Sequence, residues 1–313
     1  MKKNISTLKL FNTWTLASLF IATSLFFTAC RRGSDAPITS PEKFKALTAE
    51  GFNSLLQMTT FDASKTDFVF TTTKGTKIFI DGTCLRKGGL PVSGLVSLSV
   101  YEAYEKNDML IANATVMGKN ISGEYEPLKT GGQFYISLSQ DGEALTTTCN
   151  INMEIPASLS GGFDPSMTGW KGNLDENGNL LWESDSTVFV NPIAKDSSYD
   201  VSFPELGWIN CDRFYGDPRP KTKLAITIPA VYENACVVYA MIKGEPYSLG
   251  LASYGEWPIG MELHLIFVAE EGGAYKWITK DIEVEEGKTV NFLTSEGTIG
   301  TRAELLSFLS TLE

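Results

Sequence analysis

The feature that most constrains this chain is a two-residue alternation of apolar and polar side chains, repeated along most of its length. Ile78/Ile80, Val96/Leu98/Val100, Phe134/Ile136/Leu138 and Cys149/Ile151/Met153/Ile155 form apolar rows, with Ser97, Ser99, Ser137, Asn152 and Glu154 among the intervening residues. Successive strand side chains point to opposite faces, so each run has one face for a core and one for water. That pattern belongs to antiparallel strands packed as a sandwich. The glycine pairs in Lys87-Gly88-Gly89 and Thr130-Gly131-Gly132 are expected to be turns between strands.

The period resumes downstream in Leu224/Ile226/Ile228, Cys236/Val238/Ala240, Leu263/Leu265/Phe267, Ile282/Val284 and Val290/Phe292. Between the two blocks, Trp170 and Leu174 lead into Asp175-Glu176-Asn177-Gly178, and Leu180 and Trp182 lead out, which reads as a hairpin. Ser40-Pro41 is a cap and first turn for a short helix interrupted by Gly51 and Asn53. Thr301 and Glu304 form a capping box before the stripe Leu305, Leu306, Phe308 and Leu309. The expected fold is all-β: two tandem antiparallel β-sandwich domains and a short C-terminal helix. The expected segments are 1–29 signal peptide, 30–60 tether with a short helix, 61–158 first sandwich, 159–200 linker and hairpin, 201–295 second sandwich, and 296–313 terminal helix.

Residues 1–30 carry an address. Lys2, Lys3 and Lys9 precede the uncharged run Leu16 to Phe27, and Thr28 and Ala29 stand before Cys30. The stretch from Trp14 to Ala29 is shorter than the roughly 20 residues that span hydrocarbon comfortably. Phe27-Thr28-Ala29-Cys30 resembles the lipobox of bacterial lipoproteins, which implies acylation of Cys30 and anchoring to a bacterial membrane through its acyl chains. Loss of residues 1–29 moves the formal charge from −11 to −14, which disfavours nucleic acid as a partner.

Four cysteines remain: Cys84, Cys149, Cys211 and Cys236. They admit three pairings, and an exported compartment permits disulfides. Cys84–Cys149 and Cys211–Cys236 are favoured because each pair falls within one expected sandwich; buried free thiols are the alternative. No C-x-x-C occurs, and one histidine in 313 residues leaves little for histidine catalysis or zinc, so no metal and no cofactor is expected.

The chemistry-bearing residues have bland readings beside sharper ones. His264 lies on the strand face opposite Leu263, Leu265 and Phe267, where a structural or solvent-facing role is expected, and no G-x-S-x-G elbow accompanies it. Asp212 is read first as a turn cap and second, with Glu256, as half of a carboxylate pair for polysaccharide hydrolysis. Asp175–Asn179 is read as a hairpin turn rather than a calcium loop, since its glycine and twelfth residue do not fit one. Core packing is the first reading for each tryptophan; Trp208, Tyr254 and Trp257 are also candidate ligand contacts for a glycan or a protein, with Tyr254 to Pro258 expected to form an exposed loop.

Gly75-Thr76, Val92-Ser93-Gly94-Leu95-Val96, Glu102, Asp108-Met109, Thr115, Thr130-Gly131-Gly132-Gln133-Phe134-Tyr135-Ile136 and Gln140-Asp141-Gly142 resemble a module of exported Bacteroidetes lipoproteins of unknown function. More distantly they resemble carboxypeptidase-regulatory-like and other immunoglobulin-like sandwiches. Leu206-Gly207-Trp208-Ile209-Asn210-Cys211-Asp212-Arg213-Phe214 resembles the second half of the same lipoproteins. The resemblance implies a two-sandwich lipoprotein of the envelope and brings no catalytic residues. In Bacteroidetes lipoproteins surface export goes with acidic residues after the acylated cysteine; with Arg31-Arg32-Gly33-Ser34 there instead, the resemblance favours the periplasmic face of the outer membrane over the cell surface, the alternative. The expectation is a non-catalytic binding or structural module. The alternatives are the carboxylate hydrolase and an assembly subunit that adds through an exposed edge strand.

Overall fold

Ser40 opens helix α1 (Pro41–Asn53): its hydroxyl accepts the Lys43 amide, and Pro41 fills the first turn, where an amide would have no partner. The computed structural model describes Pro37 and residues 39–312, so Cys30 and the leader before it lie outside the described residues. Gly51 remains inside α1 because the helix packs closely; a Cβ there would meet the Ile111 carbonyl oxygen at 2.1 Å.

Strands β1 (Gln57–Asp62), β2 (Phe68–Thr71), β3 (Lys77–Ile80) and β4 (Leu95–Ala103) precede a short helix, α2 (Lys106–Ile111). Then come β5 (Met117–Lys119), the long β6 (Tyr125–Gln140), β7 (Ile151–Pro156) and the hairpin of β8 (Thr168–Leu174) and β9 (Leu180–Ser184). β10 (Phe189–Ile193), β11 (Ser198–Phe203) and β12 (Gly207–Phe214) follow. The last third holds β13 (Cys236–Ile242), β14 (Glu262–Glu271), β15 (Ala274–Glu283), β16 (Thr298–Gly300) and helix α3 (Arg302–Leu309), with shorter strands in the connections. The chain is mainly β, and α3 carries the expected capping box, Thr301 and Glu304 each bonding the other's backbone.

The central sheet runs β1-β4-β6-β12-β8-β9-β5, and β5 pairs again with β6. The second contact closes β6, β12, β8, β9 and β5 into a five-stranded barrel. β6 makes this possible by changing neighbours along one edge: residues 125–127 pair with β5, and residues 133–139 pair with β4. Between them lie Gly131 and Gly132. On the opposite edge Asn210 faces Gln133 while Asp212 faces Thr130, so β6 holds one extra residue there. The two glycines are therefore a bulge inside one strand, where a turn was expected. A Cβ on Gly131 would sit 2.7 Å from the Cys211 carbonyl oxygen, and Gly132 has φ +142°. The Lys87-Gly88-Gly89 segment does form a turn, with Lys87 facing Leu90 across it.

A second sheet, β10-β11-β7-β3-β2, packs on one face of the central sheet. Val96, Leu98, Val100, Phe134, Ile136 and Leu138 share that core with Ile78, Ile80, Ile151, Met153 and Ile155, as the alternation predicts. A third sheet contains β13-β14-β15-β16 in that order. It shares its core with the barrel residues Leu128, Trp170 and Trp182 and with Phe44, Leu305 and Leu309 of the helices.

Sheet membership does not follow the expected segments. The hairpin β8–β9 and β12 continue the sheet built from β4 and β6, and β10–β11 extend the sheet of β7. Alternation fixes which face of a strand is apolar and says nothing about its neighbours, so it cannot reveal such crossings.

Cys84 and Cys149 are joined by a disulfide. Cys149 is exposed, so the bridge lies at the rim of the core and not across it. Cys211 and Cys236 are unpaired, which corrects the second expected bridge. Cys211 faces the core between the first two sheets, whereas Cys236 begins β13 and packs against the other core.

Candidate functional site

The bulge in β6 shifts its alternation by one residue. Leu128 and Thr130 on one side of it, and Gln133 and Tyr135 on the other, consequently share the barrel-side face. Trp208, Asn210, Asp212 and Phe214 occupy the corresponding positions of β12. Thr130 Oγ1 donates to Asn210 Oδ1 at 3.1 Å, and Asn210 Nδ2 donates to Asp212 Oδ2 at 2.5 Å. Trp170 Nε1 donates to the Asp212 carbonyl at 2.9 Å, and Trp182 Nε1 donates to the Thr115 carbonyl at 2.7 Å. Thr130, Gln133, Asn210 and Asp212 are each 0% exposed.

Asp212 Oδ1 has no hydrogen-bond partner. Burial pushes the Asp212 carboxyl well above the usual carboxylate range, against the pull of Thr130, the Gly131 amide and Asn210. Burial thus favours the neutral form of the group. Enclosed in this way, it braces the strand junction and offers no carboxylate to a solvent-borne substrate.

The aromatic candidates are likewise drawn inward. Trp208 is half-buried, its ring centroid 5.1 Å from Tyr135, 5.4 Å from Tyr101 and 5.6 Å from Phe52, which joins the barrel to α1. Trp257 is fully buried, and its segment pairs with Lys221-Thr222, so Tyr254–Pro258 is not the exposed loop expected. Gly250 makes room for the Trp257 ring, since a Cβ there would come within 2.5 Å of it. Tyr254 keeps partial exposure and clamps the β8–β9 hairpin by donating its hydroxyl to Asp175. The Asp175 carboxylate also accepts the amides of Asn177 at 2.9 Å and Asn179 at 2.8 Å, which completes the hairpin turn.

The structure does not unite Asp212 with Glu256. Asp212 is enclosed, whereas Glu256 is half-buried and held at its backbone by the Tyr125 carbonyl at 3.0 Å. One surface groove, of about 460 Å³, includes Lys106 and Leu309; another, of about 400 Å³, includes Trp277 and Phe308. Neither groove is lined by Asp212, Glu256, Trp208, Tyr254 or Trp257.

His264 is 8% exposed, which agrees with the structural of its two expected roles and not with the solvent-facing one, because residues of β14 on both faces are buried. Its Nδ1 lies 2.6 Å from Asp281 Oδ1 on the neighbouring strand, and Lys243 reaches the same carboxylate at 3.3 Å. The His264 hydrogen bond, with Lys243 behind it, holds the Asp281 carboxyl below its ordinary range despite slight burial. Sequence reasoning also missed Asp164 with Arg213. Their contact of 2.5 Å ties the segment before β8 to β12. Burial raises the Asp164 pKa, but Ser166 and Arg213 outweigh it and bring it to about 2. Arg213 stands in the Trp208–Phe214 stretch, but only its fold neighbour identifies the partner. No family model matches the chain, and no curated protein matches it.

Proposed function

We propose that this protein is a lipid-anchored, non-catalytic module of the bacterial cell envelope, attached to the outer membrane by acyl chains on Cys30 and facing the periplasm. The anchor rests on the cationic start, apolar run and Phe27-Thr28-Ala29-Cys30 ending. The non-catalytic role rests on one observation above the others. Asp212, the acid that sequence reasoning favoured for chemistry, is wholly enclosed and built into the barrel. His264 clamped by Asp281, and Asp175 committed to its turn, support the same reading. The resemblance to immunoglobulin-like sandwiches is carried into this proposal for the paired sheets that share Val96, Phe134 and Ile151. Ligand recognition by glycan stacking on Trp257 receives no support from a buried ring.

Metabolic labelling with palmitate tests the anchor. The parent chain takes up label, Cys30→Ser does not, and globomycin causes a precursor to accumulate. An unlabelled parent chain, or equal labelling of Cys30→Ser, overturns the proposal.

A further inference from the structure

Thr130, Asn210 and Asp212 form a closed group at the bulge of β6. Each is 0% exposed, so the chemistry open to them is with one another and not with a solvent-borne molecule. Thr130 faces Asp212 across the ladder, and the bulge leaves Asn210 diagonal to it. Thr130 Oγ1 lies 3.1 Å from Asn210 Oδ1. A carbonyl bond of about 1.23 Å then puts the amide carbon Cγ within about 4.3 Å of the hydroxyl. The Gly132 amide donates to Thr130 Oγ1 at 3.0 Å and fixes its place beside Asn210.

Asp212 meets both partners. The Thr130 hydroxyl acts on its carboxyl, and its Oδ2 accepts from Asn210 Nδ2 at 2.5 Å, while its Oδ1 has no partner. A hydroxyl, an amide carbon and a carboxyl therefore stand together as nucleophile, electrophile and proton carrier. Burial favours the proton-bearing form of Asp212, the form that can protonate a departing nitrogen. Holding the groups together removes the entropic cost of bringing them into contact. Enclosure keeps water from competing with the hydroxyl and from hydrolysing the product.

We propose that Thr130 and Asn210 join in an ester that ties β6 to β12. The Thr130 Oγ1–Asn210 Cγ bond forms and the Cγ–Nδ2 bond breaks. As Oδ1 of Asp212 takes the hydroxyl proton, Oδ2 gives one to the departing nitrogen, and ammonia leaves. The carboxyl ends with the proton count it began with, and the exchange needs no oxidant, reductant or metal. It happens once per chain, so the module stays non-catalytic towards other molecules. The cross-link does not depend on acylation of Cys30.

Peptide mapping of the full chain, after reduction, alkylation and trypsin, tests it. In the parent, peptide 130–171 is joined to peptide 196–213 in one species, lighter than the two together by the mass of ammonia. Thr130→Ser keeps the hydroxyl and the joined species, and Thr130→Val abolishes it. Asp212→Asn lowers the joined species at least tenfold at matched times after synthesis. Should Thr130→Val not fold, hydroxylamine added to the denatured parent carries the same information: it releases peptide 130–171 unchanged and peptide 196–213 with a hydroxamate at residue 210. Two free peptides of full mass in the parent overturn the proposal. So does ammonia loss confined to peptide 196–213, which marks closure of Asn210 on the following amide, or a joined species that survives Thr130→Val.

Discussion

Asn210 donates through Nδ2 to Asp212 Oδ2 at 2.5 Å, while Asp212 Oδ1, equally enclosed, has no partner. The pair sits opposite the bulge of β6, where Gln133 and Thr130 face it across the ladder. A side chain that resembles a catalytic acid in the sequence thus acts as an enclosed brace at the strand junction.

Burial raises the folded-state pKa of Asp212 above the unfolded value of about 3.9. Its contribution to stability is therefore complete below pH of about 4 and is lost as pH rises towards the folded pKa. Asp212→Asn stays neutral throughout. Urea unfolding at pH 4, 6 and 8 should show the variant gaining on the parent as pH rises, by at most about 1.4 kcal/mol per pH unit. Parallel pH profiles would contradict a carboxyl whose pKa burial has raised.

Asp164 behaves in the opposite sense. Its folded pKa is lowered to about 2, so its contribution is present above the unfolded value and is lost as pH falls through the folded one. Solvent screening at this partly exposed pair reduces the expected loss for Asp164→Asn to about 1 kcal/mol at pH 7. The loss should vanish near pH 2, and thermal melts at both pH values measure it.

Cys84 and Cys149 close a loop with a sequence separation of 65. Chain-entropy reasoning puts the loss for the double serine variant at about 4 kcal/mol. Intact-mass analysis after alkylation without reductant should find Cys211 and Cys236 modified only once the chain is unfolded. In the folded chain burial pushes the Cys211 thiol far up and the Cys236 thiol up to about 12, so neither supplies thiolate. Rapid labelling of either in the native protein would count against the packing described.

Gly131→Ala forces a Cβ towards the Cys211 carbonyl, and Gly132→Ala must hold φ +142°. Each should cost about 2 kcal/mol or more in denaturant unfolding. Unchanged stability in both would mean that β6 does not carry its bulge there.

Much of the local structure was legible in the sequence. Ser40 and Thr301 cap helices where they were expected, Asp175–Gly178 turns a hairpin, and Cys84 meets Cys149. The caps and the turn depend on neighbours close in sequence, and the cysteine pair is favoured because both thiols fall within one expected sandwich. The missed features depend on contacts between distant segments. Gly131-Gly132 reads equally well as a turn or a bulge until β12 is placed beside β6. Trp257 reads as a loop residue until Lys221-Thr222 pairs with it, and His264 as structural or exposed alike until both faces of β14 are covered. The same holds for the groove at Lys106, whose polar groups come from α2 and from the chain beyond α3.

The central claim is that a lipid on Cys30 holds this folded body at a membrane. Intact-mass spectrometry of the protein extracted from its native envelope measures that directly. A chain beginning at Cys30 and carrying the added mass of two or three acyl chains and glycerol agrees with the account. A chain that retains residues 1–29, or that begins elsewhere without added mass, contradicts it.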